Sequence, residues 1–167
     1  IMNGFHSEMR DKILSMVSHV IITEKNYTLN NWQQLKKVVD NDELVISSAP
    51  YVEGQAMFSH NGNVHGVQLK GIIPEFEKEV TSLEENIIEG KLSNIGKKPY
   101  QISVGIDIAK KMNLSIGDKI TLVIPRANTT LIGIIPRLKR FEVSSIFDFG
   151  MSQYDKNLVY IDIEEAK

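Results

Sequence analysis

The spacing of hydrophobic and polar residues predicts a mixed helical and β start to the chain. Apolar residues recur at helical spacing over residues 4–17 and again from Trp32 to Val39, which indicates two amphipathic helices. Two short apolar runs, at residues 19–23 and 44–50, contain β-branched residues and predict buried strands. Residues 1–50 therefore predict an αβαβ lobe in which helices cover a sheet.

The pattern changes after this lobe to one dominated by strands. Residues 51–73 are divided by Asn61-Gly62, which predicts a hairpin because a type I′ turn requires a positive φ at both central residues. The remaining predicted elements are strands at 100–104 and 157–163, a short helix at 107–112, and a loop with a short helix within 75–97.

An over-long connection lies between two strand-like runs, residues 119–124 and 138–147. It has about a dozen residues, whereas a hairpin turn normally takes about two to five. Pro125 and Pro136 close its ends. Because proline has no N–H, each is expected to end ladder pairing and to stiffen the chain. The large aliphatic residues of the connection and the basic residues after it are Leu131, Ile132, Ile134, Ile135, Arg137, Lys139 and Arg140.

The spacing alone leaves two interpretations of this segment open. An extended arm with exposed apolar residues and a basic base is typical of an element that binds a partner. The alternative is a surface loop folded back onto its own domain. In that case the basic residues would form a solvated strand edge that blocks unwanted sheet pairing.

Composition narrows the class of protein. The chain has 167 residues, a net charge of −2 and a pI near 6.1, so its bulk charge gives no argument for nucleic acid as a partner. Aromatic residues make up 7%, which is too few for a base-stacking platform. The sequence contains no cysteine, which excludes disulfides, thiolate zinc sites and cysteine nucleophiles.

Two further features concern location. No window comes close to the roughly 18 uninterrupted apolar residues that span a bilayer, and the basic start and apolar segment of a signal peptide are missing. The chain begins Ile-Met-Asn-Gly-Phe. We therefore expect a segment of a longer protein, with targeting information upstream.

Candidate chemistry is sparse. His60 and His65 fall on one face of the predicted hairpin, but no third ligand is evident beside them, whereas a catalytic zinc site needs three. We interpret them as solvated strand histidines; an enzyme or small-ligand domain built on them is the alternative. The sequence has no Gly-x-Ser-x-Gly elbow and no Walker-type loop. No catalytic residue, cofactor or metal site is predicted, and a binding or scaffold domain is favoured over an enzyme.

Short motifs along nearly the whole chain resemble the permease subunits of the lipoprotein-releasing (Lol) ABC transporter. The opening MNGF at residues 2–5 is similar to the segment that leaves the first membrane helix of these subunits. Motifs that resemble the subunit that receives lipoprotein are NWQ at 31–33, APY at 49–51 and QLKGI-x-P at 68–74. Motifs that resemble the other subunit, whose arm (the Hook) captures the periplasmic chaperone LolA, are VIP at 123–125 and G-x-x-P at 133–136. Because the chain carries both sets of motifs, it resembles the hybrid LolF-type permease, which forms a homodimer.

The resemblance implies an α+β fold like that of the extracytoplasmic domain of MacB-type transporters. Residues 1–55 and 155–167 would form a Porter-like αβ lobe, incomplete at its C-terminal side. Residues 56–154 would form a β-rich Sabre-like lobe, with the protruding hairpin arm at 125–137.

The resemblance also implies a function in lipoprotein release. The domain would lie in the periplasm as part of an inner-membrane permease. Its partners would be a second permease subunit, an ATPase subunit, the lipoprotein substrate and a LolA-like chaperone. The chaperone contacts carried over by position are Pro125, Arg126, Ala127, Asn128, Thr129, Thr130, Leu131, Ile132, Gly133, Ile134, Ile135, Pro136, Arg137, Lys139 and Arg140. The alternative is the adaptor-docking domain of a MacB-type efflux or peptide-export transporter.

Overall fold

The computed structural model describes residues 18–24, 29–124, 129–130, 133–134 and 137–167; over 129–137 it describes backbone at those positions and not side chains. The helix predicted for residues 4–17 lies outside the described residues. The helices are α1 (Trp32–Val39), α2 (Pro74–Val80), α3 (Ile106–Met112), α4 (Ser152–Asp155) and α5 (Ile163–Ala166). The strands are β1 (Tyr51–His60), β2 (Asn63–Ile72), β3 (Ile87–Gly90), β4 (Gln101–Gly105), β5 (Lys119–Ile124), β6 (Thr129–Thr130), β7 (Gly133–Ile134), β8 (Arg137–Phe147) and β9 (Leu158–Asp162).

Seven strands form the main sheet, in the order β3-β8-β4-β9-β2-β1-β5. Strand β5 also pairs with β8, so the six strands from β8 round to β5 form a closed ring and β3 pairs with the outside of β8. A ring of this kind removes the exposed edges that an open sheet would have. The α+β class predicted from the sequence is confirmed.

Most predicted elements of the β-rich part are present. The β1–β2 hairpin turns at Asn61 and Gly62, whose φ angles are 48° and 81°, and Phe58 pairs with His65 as expected. Helix α3 ends at Asn113, which adopts the left-handed conformation at φ 51°. Strand β9 lies between β4 and β2, inside the main sheet. The division of the chain into two lobes stays a prediction.

Two clusters of buried side chains hold this sheet together. The larger cluster lies within the ring and includes Phe58, Leu69, Val104, Leu122, Phe141 and Ile161. The smaller one lies beside β3 and includes Ile72, Leu83, Phe147, Phe149 and Tyr160. Removing such side chains from water contributes about 1.5–3 kcal/mol each.

Strand β8 pairs with β5 in its first half and with β4 in its second half, and the second half contains a bulge. Residues 137–142 pair with β5, and residues 142–147 pair with β4. Between the pairs Ile102–Val143 and Ser103–Ser145 the register shifts, which leaves Ser144 as the extra residue. Gly90 of β3 lies against this bulge with a φ of +79°, and a Cβ there would come within 2.2 Å of the Ser144 carbonyl oxygen.

The predicted strands at residues 19–23 and 44–50 are wrong. Both segments are irregular, and most of their large apolar side chains are exposed, with Val20 77% and Ile46 98% exposed. A strand needs a neighbour for its N–H and C=O groups. In the described main sheet every strand except β3 has at least two neighbouring strands, and neither of the two segments pairs with any of these strands. Apolar, β-branched composition alone was therefore not sufficient to predict a strand. The predicted αβαβ lobe is not present in the described residues.

Helix α1 is present as predicted, but none of the residues of this described helix is buried, and Val38 is 69% exposed. Its ring contacts are with α2: the ring of Trp32 lies edge-on to Phe76 at 6.4 Å, and the Lys36 ammonium lies 4.6 Å from the same ring. Lys36 also donates a hydrogen bond of 2.6 Å to the Ser48 carbonyl. Helix α2 is in turn joined to the sheet by an ion pair of 2.8 Å between Lys70 and the buried Glu77. Residues 75–97, predicted as a loop with a short helix, thus contain most of α2 and all of β3. Strand β3 was not predicted from the sequence.

Asp155 closes the loop that leads into α4. Its buried carboxylate accepts hydrogen bonds from the backbone N–H groups of Phe149 and Met151, each at 2.9 Å. Burial raises the pKa of this carboxyl, against the two N–H donors, which lower it.

Replacing Gly90 tests the backbone approach at the bulge. Gly90→Ala is expected to lower the free energy of unfolding by about 2–4 kcal/mol, because the new Cβ meets the Ser144 carbonyl and the φ is positive. Gly117→Ala is the matched control: its φ is +91°, but no atom lies within 4 Å of the new Cβ, so a loss of about 1 kcal/mol is expected. Urea unfolding measures both. Equal losses would show that close approach at Gly90 has no energetic role.

The pKa of Asp155 predicts a pH dependence of stability. Because the folded-state pKa is raised, the folded state holds the proton more tightly than the unfolded state. The stability that this group contributes is therefore largest in acid and declines as pH rises through about 4 and above. Urea unfolding of the wild type and Asp155→Asn over a pH series should show wild-type stability falling relative to the variant as pH rises. Parallel curves would contradict the assignment.

Candidate partner-binding arm

The arm predicted at residues 125–137 starts from the core of the ring. Strand β5 pairs with β8 on one side, ending at Ile124 with Arg137, and with β1 on the other. Ile124 and Arg137, the last pair of this ladder, are adjacent in sequence to Pro125 and Pro136, which were predicted to end it. Ile120 and Leu122 of β5 are buried, which anchors the root of the arm.

The described backbone of the arm forms a second ladder beyond this root. Thr129 pairs with Ile134 and Thr130 with Gly133, antiparallel, in a sheet separate from the main one. The other residues predicted as contacts in this segment, Pro125, Arg126, Ala127, Asn128, Leu131, Ile132, Ile135 and Pro136, lie outside the described residues. The side chain of Arg137 is also outside the description. Their role in binding stays a prediction.

Register separates the two basic residues at the root. Lys139 pairs with Leu122, whose side chain is buried, so Lys139 lies on the core-facing side of β8. Arg140 pairs with Thr121 on the other face and is exposed. The two neighbours predicted to act together therefore have different surroundings.

Lys139 makes contacts within its own chain. Its ammonium donates a hydrogen bond of 3.1 Å to the backbone carbonyl of Glu165, in α5, and lies 5.8 Å from the ring of Tyr100. That ring packs edge-on against Phe141 at 5.6 Å. Lys139 thus joins the root of the arm to α5, which the sequence analysis did not predict.

Tyr100 and Glu165 complete this junction. Tyr100 has a φ of 57°, unusual for a residue with a side chain, and its N–H donates to Glu165 Oε1. Burial raises the pKa of the Glu165 carboxyl, and within the described structure its Oε2 is buried without a hydrogen-bond partner. The two residues are 65 positions apart in the chain. No local sequence pattern predicts that a tyrosine adopts the left-handed backbone conformation.

An apolar row crosses the outward face beside Arg140. Met57 pairs with Val123, and Val123 pairs with Leu138, so three strands contribute one side chain each. Met57 is 48% and Leu138 66% exposed. Exposed apolar side chains that adjoin one another at the base of an arm are typical of a surface for a partner.

The ring nitrogens of both hairpin histidines contact polar groups of the protein. The Nδ1 of His60 lies 3.2 Å from the Lys119 carbonyl, and its Nε2 lies 2.9 Å from the amide nitrogen of Asn61. His65 contacts the Lys156 carbonyl and the Lys111 ammonium. Within the described part of the chain, no group of three or more potential metal ligands is found.

The fold is that of extracytoplasmic domains of MacB-like ABC transporters. The extracellular domain of the noncanonic ABC-type transporter YknZ from Gram-positive bacteria matches with a TM-score of 0.56 at 11% identity, over 80% of this chain and 63% of that one. The periplasmic region of MacB from Actinobacillus actinomycetemcomitans matches with a TM-score of 0.52 at 12% identity, over 87% of this chain and 57% of that one. The predicted MacB-like class is confirmed.

The resemblance to permeases of the lipoprotein-releasing system is also confirmed. The chain is 30% identical, over its whole length, to the lipoprotein-releasing system transmembrane protein LolC of Neisseria meningitidis, and 29% identical to LolC of Xylella fastidiosa. It is 28% identical to LolE of Haemophilus influenzae over 99% of its length. The chain spans 40% of the length of each of these relatives. No family model matches it, and no helix among the described residues is long and apolar enough to span a membrane.

Neutralising the two basic residues at the root distinguishes their roles. Lys139→Met is expected to lower the free energy of unfolding by about 1 kcal/mol, because the hydrogen bond to the Glu165 carbonyl is lost. Arg140→Met, the matched control on the exposed face, should change it by less than about 0.5 kcal/mol. Urea unfolding measures both, and a stability loss at Arg140 as large as that at Lys139 would contradict the assignment.

Proposed function

We propose that this chain is the extracytoplasmic domain of an inner-membrane permease of a lipoprotein-releasing ABC transporter. Its arm, residues 125–137, together with Arg140, binds a periplasmic LolA-like chaperone that receives the lipoprotein. The observation that carries the proposal is the described second ladder, β6 with β7, which lies in the chain between β5 and β8, the two strands whose own ladder is anchored in the core. The similarity to LolC and LolE over the whole chain supports the transporter class.

The chemistry of the arm suits insertion into an apolar cavity of the chaperone. Leu131, Ile132, Ile134 and Ile135 supply aliphatic side chains, each of which contributes about 1.5–3 kcal/mol when fully removed from water. The prolines at its ends restrict the free arm and so reduce the conformational entropy lost on binding. The exposed row of Met57, Val123 and Leu138 offers further apolar contact at the root.

Charge at the root orients the encounter. Arg140 is exposed on the outward face, beside the apolar row, and a rim charge of this kind changes the association rate more than the final affinity. Lys139 contributes by holding the root against α5. Arg137 extends the basic character towards the arm.

The energy for release comes from elsewhere in the transporter. ATP hydrolysis by a separate cytoplasmic subunit drives transfer of the lipoprotein acyl anchor from the membrane to the chaperone. A second permease subunit completes the membrane part. The domain itself binds the chaperone in the periplasm and positions it to receive the lipoprotein, without a cofactor.

A second candidate function is docking of a periplasmic adaptor, as in a MacB-type efflux or peptide-export transporter. The observation that supports this second candidate is the similarity of the fold to the periplasmic region of MacB. Pull-down of the chain against a LolA-like chaperone and against an adaptor separates the two candidates.

Binding to a purified LolA-like chaperone tests the proposal. A variant that combines Leu131→Ser, Ile132→Ser, Ile134→Ser and Ile135→Ser is expected to lose measurable affinity, because the apolar area that would be buried is lost. Arg140→Glu should lower the association rate at low salt about five- to tenfold. Lys91→Glu, the same charge reversal at an exposed lysine next to β3, is the control and should bind normally.

Surface plasmon resonance gives the rates, and circular dichroism verifies that each variant is folded. Unchanged chaperone affinity in a folded serine variant would end the arm-binding proposal. Binding of an adaptor in place of the chaperone would favour the second candidate.

A further inference from the structure

A basic cleft lies apart from the arm and has no role in the proposed function. It is an open concavity of about 570 Å³, lined by His65, Asp107, Lys110, Lys111, Lys156 and Asn157. His65 lies towards the Asn61-Gly62 turn of the hairpin, whereas β5 runs away from that turn to reach the arm. His65 pairs with Phe58, whose side chain is buried, so His65 lies on the inner side of β2, whereas the apolar row beside the arm root lies on the outward face.

The topology brings three separate segments together at this point. Parallel pairing of β2 with β9 places His65 near the residues that precede β9, and Gln68 N–H donates to the Asn157 carbonyl at 2.7 Å. The last turn of α3 supplies Lys110 and Lys111. A 3.0 Å hydrogen bond from the Ser152 hydroxyl to Asp107 joins α3 to α4 across the cleft wall.

His65 fixes one of the lysines. Its Nε2 lies 2.8 Å from the Lys156 carbonyl oxygen, which can only accept, so Nε2 carries the hydrogen. Its Nδ1, 3.3 Å from Lys111 Nζ, then presents a lone pair to that ammonium. With its hydrogen on Nε2, His65 directs the ammonium of Lys111 without neutralising its charge.

The cleft has an excess of positive charge. Three lysines line it against one aspartate, and that aspartate accepts from Ser152. Among the described residues, the ion pairs are Lys36–Asp40, Lys70–Glu77 and Lys167–Glu164, so none of them neutralises a lysine of the cleft. Like charges that line one cleft repel one another, and a bound anion offsets this repulsion by attracting each of them.

We propose that this cleft binds a phosphate group. Several ammonium groups around a concave surface match an anion with several oxygens, and lysine is a common phosphate ligand as a point charge. The ammonium of Lys111 keeps two of its three hydrogens for such an oxygen, since one is directed at His65. The phosphate belongs either to a lipid headgroup or to a free anion, and this inference does not depend on the arm.

Titration of inorganic phosphate into the isotope-labelled 167-residue chain, at constant ionic strength with chloride as the reference anion, tests the site. Backbone amide signals of residues 65, 110–111 and 156–157 should shift saturably. The double variant Lys111→Met with Lys156→Met should weaken the affinity about tenfold. The control Lys91→Met removes an exposed lysine outside the cleft and should change it less than about twofold.

His65→Leu tests the positioning of Lys111. It leaves all three lysines in place, so a weakening of about threefold, smaller than that of the double variant, is expected. Co-sedimentation with phosphatidylglycerol vesicles and with phosphatidylcholine vesicles separates the two sources of phosphate. Lysine-dependent binding to phosphatidylglycerol identifies a headgroup site, and phosphate binding without vesicle binding identifies a free anion. Absence of saturable shifts, or equal losses in Lys91→Met and the double variant, overturns the proposal.

Discussion

Pairing of β5 with β8 closes the ring, and the rest of the described structure depends on it. The same ladder that completes the sheet also sets the root of the arm, because β5 and β8 are the two strands from which the arm leaves. Ile120 and Phe141 pair across this ladder and are both buried. The arm thus starts from residues fixed by the main hydrophobic core, which limits the motion of its base however the distal part behaves.

Alternation along one strand assigns different roles to neighbouring charges. A shift of one residue in the register of β8 would exchange the surroundings of Lys139 and Arg140. In the observed register Lys139 lies at the end of the core face and contacts Glu165 and Tyr100, while Arg140 remains on the solvent side. A charge reversal at Lys139 would therefore disturb the fold as well as the proposed binding surface, whereas a reversal at Arg140 would test the proposed binding surface alone.

The apolar row and the basic cleft lie on different sides of neighbouring strands. Met57, Val123 and Leu138 lie on the outward face of β1, β5 and β8. His65 pairs with the buried Phe58 and so lies on the inner side of β2, where it contacts Lys111 of α3. The alternation of side chains along a strand therefore directs the two surfaces to different sides of the sheet.

The sequence by itself determined the elements whose signals are local. Asn61-Gly62 predicted the hairpin and its register, Asn113 the end of α3, and the prolines at 125 and 136 the limits of the β5–β8 ladder, since each depends on the backbone preferences of one or two residues. The arm as a candidate site followed from the same local signals and from a family resemblance.

Only the tertiary structure decided which apolar segments become strands and which charged residues meet. Residues 19–23 and 44–50 have strand composition but no strand partner in the described sheet, because β5 and β8 close the ring. The junction of Tyr100, Lys139 and Glu165, and the cleft around His65, join residues far apart in the chain. Such contacts depend on how the strands are ordered in space, which no local pattern encodes.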